Sequence, residues 1–193
     1  MGYSSFVDSN GRGQTVSPSQ PLPTAQQGPA QAVGLQVIVT DSFTRPSDTN
    51  AYAAQDVVSN STSAPTVLTF ANAARANGGS GIIMSARHLK SSATINGASY
   101  RLHLYRVAPT AINDNAQFTL LYSNRASRIG FIDFSHSTGG TGSDSSHALA
   151  TMQNLPFVCD ASLRSLFGIL VVTGAPAQTS GEQHFIELAI AQN

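Results

Sequence analysis

Asp133, Ser135 and His136 are the one place where an orienting acid, a nucleophile and a base lie close together in the sequence. Acyl transfer of the serine-hydrolase kind needs the three within hydrogen-bond reach of one another. Neighbours on a strand point to opposite faces, so Ser135 and His136 are expected to turn apart. The sequence also lacks a Gly-x-Ser-x-Gly elbow. The grouping reads as a turn with local hydrogen bonds.

Other chemistries fare no better. Glycoside cleavage needs two carboxylates in one cleft. The chain has two glutamates, Glu182 in a turn and Glu187 on a strand, and its eight aspartates show no spacing that singles out a pair. His88 and His103 fall on separate strands, and His136, His147 and His184 lie elsewhere. These histidines read as scattered polar or half-buried residues, without the closely spaced pair of a cupin-type metal site. Cys159 is the only cysteine, so no internal disulfide or cysteine zinc site is available. Gly139-Gly140-Thr141-Gly142 has no Lys-Ser/Thr after it and no helix to cap, and reads as a flexible loop, not a phosphate cradle. Tyr52, Tyr100, Tyr105 and Tyr122 could stack on a sugar, yet tyrosines on strands more often sit at the core edge with wet hydroxyls. No catalytic, cofactor-binding or metal-binding residue is expected, and no enzyme activity.

The elements that would carry these residues are strands. From about residue 35, short alternating or apolar runs follow one another. They are Leu35 to Thr40, Ala51 to Val58, Thr66 to Phe70, Gly81 to Leu89, Tyr100 to Val107, Gln117 to Tyr122, Arg128 to Phe134, Leu155 to Cys159, Leu166 to Thr173 and His184 to Ile190. Arg128 to Phe134 is apolar on both faces, which predicts a covered central strand, and Leu166 to Thr173 predicts another. Asn96-Gly97, Asn113-Asp114-Asn115, the Ser/Gly tract from Ser135 to Ser146, and Ser180-Gly181 read as turns or loops. Helical pattern is confined to single turns at Ala71 to Ala76 and Asp160 to Leu166. Many short strands and almost no helix predict an all-β fold, a jelly-roll-like β-sandwich spanning 35–193.

Residues 1–34 differ. Pro18, Pro21, Pro23 and Pro29 are too closely spaced for helix or central strand, so an extended, proline-rich N-terminal arm is expected. Tyr3, Phe6, Val7 and Leu22 are its candidate anchors on a partner. The arm and sandwich together suit a chain of 193 residues.

Composition narrows the partners. Charged residues are 10% of the chain, net charge is zero, and lysine occurs once, at Lys90. An uncharged polar surface does not repel copies of itself and suits a crowded lattice. With no basic tract, nucleic acid is not an expected partner. No apolar run approaches the roughly 18 residues of a membrane-spanning helix, so no membrane is expected either. No secretory signal is visible at the N-terminus, consistent with synthesis in a cytoplasm.

One stretch carries more than composition. Phe43-Thr44-Arg45-Pro46-Ser47-Asp48-Thr49-Asn50-Ala51-Tyr52, followed by Asp56-Val57-Val58, resembles the opening of a group of tailed-bacteriophage virion proteins. Phe70 to Gly81 and Pro109 to Ala116 are similar to later segments of that group. The resemblance spans roughly residues 36 to 190. It implies a structural component of the virion, of the capsid decoration (cement) type. The protein would be made in the host cytoplasm and work on the capsid surface, with the major capsid protein and further copies of itself, as trimer or dimer, as partners. A tail or baseplate component touching a host glycan, and a glycan-active enzyme on the same sandwich, are the alternatives. Within the motif, Phe43, Arg45, Pro46, Asp48, Tyr52 and Asp56 read as fold-determining. Pro46 would stiffen a turn, Arg45 would pair with Asp48 or Asp56, and Tyr52 would pack with its hydroxyl bonded.

Overall fold

The computed structural model describes residues 5–7, 11, 13–15, 35–94, 98–137, 144–177 and 179–193. The chain divides into two units, Met1–Val33 and Gly34–Asn193. In the first, β1 (Ser5–Val7) pairs antiparallel with β2 (Gly13–Thr15). This small ladder precedes the prolines and is not apparent in the sequence pattern.

The second unit is two antiparallel sheets packed face to face. Its strands are β3 (Leu35–Thr44), β4 (Val57–Val58), β5 (Leu68–Phe70), β6 (Ser80–Lys90), β7 (Ser99–Tyr105), β8 (Arg128–Ser135), β9 (Ser146–Ala150), β10 (Leu155–Val158), β11 (Leu166–Val172) and β12 (Gln183–Gln192). One sheet runs β10-β6-β12-β3, with β9 also on β6. The other runs β4-β11-β7-β8, with β5 also on β11. β4 and β5 occupy one lane along β11, and β9 and β10 one lane along β6. Counted as eight lanes in chain order, the sheets read 1-8-3-6 and 2-7-4-5. Lane 1 pairs with 8, 2 with 7, 3 with 6 and 4 with 5. This is a long hairpin wrapped around itself, the jelly roll, which limits open edges.

Alternation explains the core. Ile83, Ala86, Leu102, Leu104, Ile132, Phe134, Leu170, Ile186, Leu188 and Ile190 alternate with outward residues and fill the space between the sheets. β6 carries a bulge at Met84, where its register against β12 slips between Ala189 and Ile190. On the other side of β6 the lane breaks at 151–154, and Gln153 N–H donates to the Met84 carbonyl at 2.9 Å. One extra residue thus splits the neighbouring lane into β9 and β10.

Several expectations are corrected. β8 is an edge strand, not a central one. Phe131 is 43% exposed, and its outward face is covered by the Arg101 guanidinium 3.9 Å above the ring. Gln117 to Tyr122 forms no strand; Gln117 makes one bridge to Asp56, and Tyr122–Asn124 is a single 3₁₀ turn. Ala51 to Val58 shrinks to Val57–Val58. β9 was not expected, because its inward residues, Ser146, Ala148 and Ala150, are small and poor strand formers. Most of the Ser135 to Ser146 loop, and Asn96-Gly97, lie outside the described residues.

Candidate functional site

The residues of the Phe43 to Val58 motif build a buried knot. Arg45, just past β3, has a fully buried side chain. Its guanidinium donates to the Asp48 carbonyl at 2.7 Å, the Asp48 carboxylate at 3.0 Å, the Thr179 carbonyl at 3.2 Å and the Tyr52 hydroxyl at 3.2 Å, and pairs with Asp114 at 3.4 Å. Tyr52 donates a short hydrogen bond to Asp114, which also accepts from the Ser59 amide at 2.9 Å. Burial opposes the charge on Arg45, but Tyr52, Asp114 and Asp48 outweigh it and raise its pKa. Burial, then the Asp114 carboxylate, pushes the Tyr52 phenol far up, so it stays a donor. Asp56 does not meet Arg45; it accepts the Ala53 amide at 2.7 Å. Pro46 accepts the Asp48 amide at 2.9 Å. Asp114 lies in the third segment of the resemblance, so two distant stretches meet here.

A second polar system lies in the core. Lys90, at the end of β6, pairs with Glu182 at 2.9 Å, and neither side chain is exposed. Glu182 lies 3.4 Å from His184 Nε2. His184 Nδ1 is 3.0 Å from His88 Nε2, and His88 Nδ1 is 2.9 Å from His136 Nε2. His136 Nδ1 ends the chain 3.0 Å from Ser146 Oγ. Phe43 stacks on His184, and Tyr100 meets His88 edge-on. Burial is the main cause that lowers all three histidines. His88 lies well below the ordinary value, with His184 and His136 adding to the effect, and His136 falls to about 4, helped by Lys90. In His184 the Glu182 carboxylate partly opposes the drop. Burial works against the Glu182 charge, but His184 and Lys90 hold its pKa below the usual value.

The two outer faces of the sandwich differ. On the β4-β11-β7-β8 sheet, Val57, Tyr105, Ile169 and Val171 are buried beneath Ile112 and Phe118 of the β7–β8 connection. Backbone bonds from Phe118 to Gln55 and from Val57 to Ala116 fasten it down. His103 lies under Phe118 at 4.3 Å, and burial, with Arg128 and Arg101, lowers its pKa to about 4. The opposite sheet exposes Ile38 (65%), Leu149 (61%), Ile82 and Met84 on its outer face. The Arg87–Glu187 pair at 2.8 Å crosses that face.

The sequence candidates are dispersed. Asp133 faces outward and takes a two-pronged bond from Arg101, at 2.6 and 2.8 Å, while Ser135 is exposed. His136 meets a different serine, Ser146. The expectation of scattered histidines is corrected: His88, His136 and His184 converge. The signal for this was on β12, where His184 shares its face with Ile186, Leu188 and Ile190, so a buried, partnered imidazole follows. On β6 the bulge shifts the alternation and hides His88. The chain of rings runs nitrogen to nitrogen, and no group of three ligands able to hold a metal occurs among the described residues. Tyr52, Tyr100 and Tyr105 are buried and offer no sugar platform; Tyr122 is exposed. Tyr3, Leu22 and the side chains of Phe6 and Val7 lie outside the described residues. No family model, curated protein or solved structure matches this chain.

Proposed function

We propose that the protein is a structural component of a tailed-phage virion, a capsid decoration protein that bridges and stabilises major capsid subunits. The observation that carries this reading is the unlike pair of outer faces. One sheet is covered by the chain's own β7–β8 connection, which itself exposes Leu120, Leu121 and Tyr122, while the other presents Ile38, Ile82, Met84 and Leu149 of the strands themselves to solvent. A patch of exposed apolar side chains on a bare sheet face marks a protein contact. The resemblance of Phe43 to Val58 supplies the kind of assembly. The low charge content and zero net charge allow copies to pack side by side, as trimer or dimer, on the capsid surface. A contact of ordinary size, about 1,600 Å² in total, repeated over a shell stabilises it through multivalency even when each site is weak. The arm, with Tyr3, Phe6, Val7 and Leu22 as anchors, supplies part of the contact.

The test is sedimentation with expanded shells that lack decoration. The wild-type chain co-sediments. Ile38→Asp with Leu149→Asp abolishes co-sedimentation while the unfolding free energy stays within about 0.5 kcal/mol of wild type, as for ordinary surface changes. Undiminished binding by the double variant would refute the role of this face. Deleting residues 1–30 leaves a folded sandwich that binds shells weakly; unchanged occupancy would remove the arm from the contact.

A further inference from the structure

The buried row of rings has a direction. Glu182 is ionised and accepts only, and His184 Nε2 lies 3.4 Å from it, a charge contact and not a hydrogen bond, so the proton of His184 is favoured on the nitrogen beside that charge. A neutral imidazole has one donor and one acceptor nitrogen. His184 Nδ1 must then accept, and His88 Nε2 donates to it across 3.0 Å. His88 Nδ1 accepts in turn from His136 Nε2 at 2.9 Å, and His136 Nδ1 accepts from the Ser146 hydroxyl at 3.0 Å. One carboxylate fixes all three tautomers as Nε2–H. Reversing any ring would set two donors or two lone pairs face to face in a dry core.

We propose that His136, His88 and His184 form a directional proton relay that carries a proton from the half-buried His136 to His184 beside the Glu182 carboxylate, and that a loaded relay weakens the core at its Lys90–Glu182 end. The transfer balances. A proton from solvent hydronium binds His136 Nδ1. His136 Nε2 passes its own proton to His88 Nδ1, and His88 Nε2 passes its own to His184 Nδ1. Three N–H bonds form and two break. The charge ends on His184 beside Glu182, and each ring then donates in the opposite direction, with Ser146 Oγ turned to accept.

The surroundings make the loaded form costly. Lys90 already holds the other Glu182 oxygen, so two cations share one buried carboxylate. From beyond β3 the Arg45 charge also bears on His184, and from β9 His147 bears on His136. Tyr100 on β7 presents its ring to all three histidines, and Phe134 on β8 adds no charge. This inference does not depend on what the outer face binds.

The experiment is ring-nitrogen NMR on the full chain with labelled histidine. Near pH 7.5 the rings of His88, His136 and His184 should all be neutral and protonated on Nε2. Any one of them protonated on Nδ1 in the folded protein would overturn the relay. On acidification below pH 6.5, one proton should enter the row, with the His184 ring taking the charge and the amides around Lys90 and Glu182, 89–91 and 182–185, losing exchange protection before the rest of β6 and β12. Charge appearing on His136 alone, with His184 neutral until global unfolding, would also overturn it. Glu182→Gln should release the fixed polarity and give mixed tautomers at His184. If that variant does not fold, the wild-type tautomers still decide.

Discussion

A guanidinium sealed inside a sandwich must be answered by several acceptors at once, and Arg45 is. Asp48, Tyr52, Asp114 and the Thr179 carbonyl surround it. Truncating one side strands the other, so Arg45→Met or Asp114→Ala should each cost about 3–5 kcal/mol in urea unfolding. Arg45→Lys should not restore the loss, because one ammonium cannot span so many partners. The histidines set the acid limit. In the unfolded chain they titrate near 6.5, while His103 and His136 titrate at about 4 when folded and His88 and His184 lie below their ordinary value. Below 6.5 the unfolded state therefore binds more protons. Stability is full above that pH and is lost as pH falls toward 4, at no more than about 1.4 kcal/mol per pH unit for each histidine. Unfolding midpoints across pH 4 to 8 test this; a flat profile would contradict it. Lys90, the one lysine of the sequence, is buried in its pair with Glu182. An amine-reactive reagent should modify Lys90 only as fast as the core opens, a rate that peptide mass spectrometry can follow.

Strands show where sequence reasoning works and where it stops. β11 and β12 were legible because their runs are long, apolar or cleanly alternating, and both sit inside their sheets. β8 is apolar on both faces, yet it is an edge strand, and a cation over the Phe131 ring shields part of its outward face. β9 was invisible because small inward side chains leave no hydrophobic signature. Of the motif, the turn at Pro46 and the Arg45–Asp48 pair could be anticipated from spacing. Asp114 could not, since nothing local says that residue 114 returns to residue 45. The histidine row was hidden for the same reason: its members come from three separate strand regions. The central strand also carries a sharp packing test. A Cβ on Gly168 would stand 2.8 Å from the Leu102 side chain and 3.2 Å from Phe70. Gly168→Ala should therefore cost about 1–3 kcal/mol by overpacking. A neutral result in thermal unfolding would show that Leu102 can move aside.

The sandwich has one face whose strands are covered by a connection and one face whose strands are bare, although the covering connection itself exposes Leu120, Leu121 and Tyr122. The covered face spends the β7–β8 connection, 106–127, on covering Val57, Tyr105, Ile169 and Val171. The bare face keeps its apolar groups at the surface, and replacing them with aspartate should change association without changing fold. The sandwich closes on itself at one corner as well: Asp41 on β3 accepts the Thr69 amide of β5 at 2.6 Å, linking the two sheets. Asp41→Ala should loosen that corner, seen as faster amide exchange at Thr69 while the β6–β12 ladder stays protected.

The wrapped hairpin also sets a timetable for assembly. β12 is the last strand of the sandwich in chain order, yet it lies between β3 and β6. While a ribosome is still adding those residues, β3 and β6 have no common neighbour, and the ladder that begins with Leu35 opposite Gln192 cannot form. Productive folding must wait until β12 has been synthesised, so a chain stopped short of β12 would be left with two open strand edges.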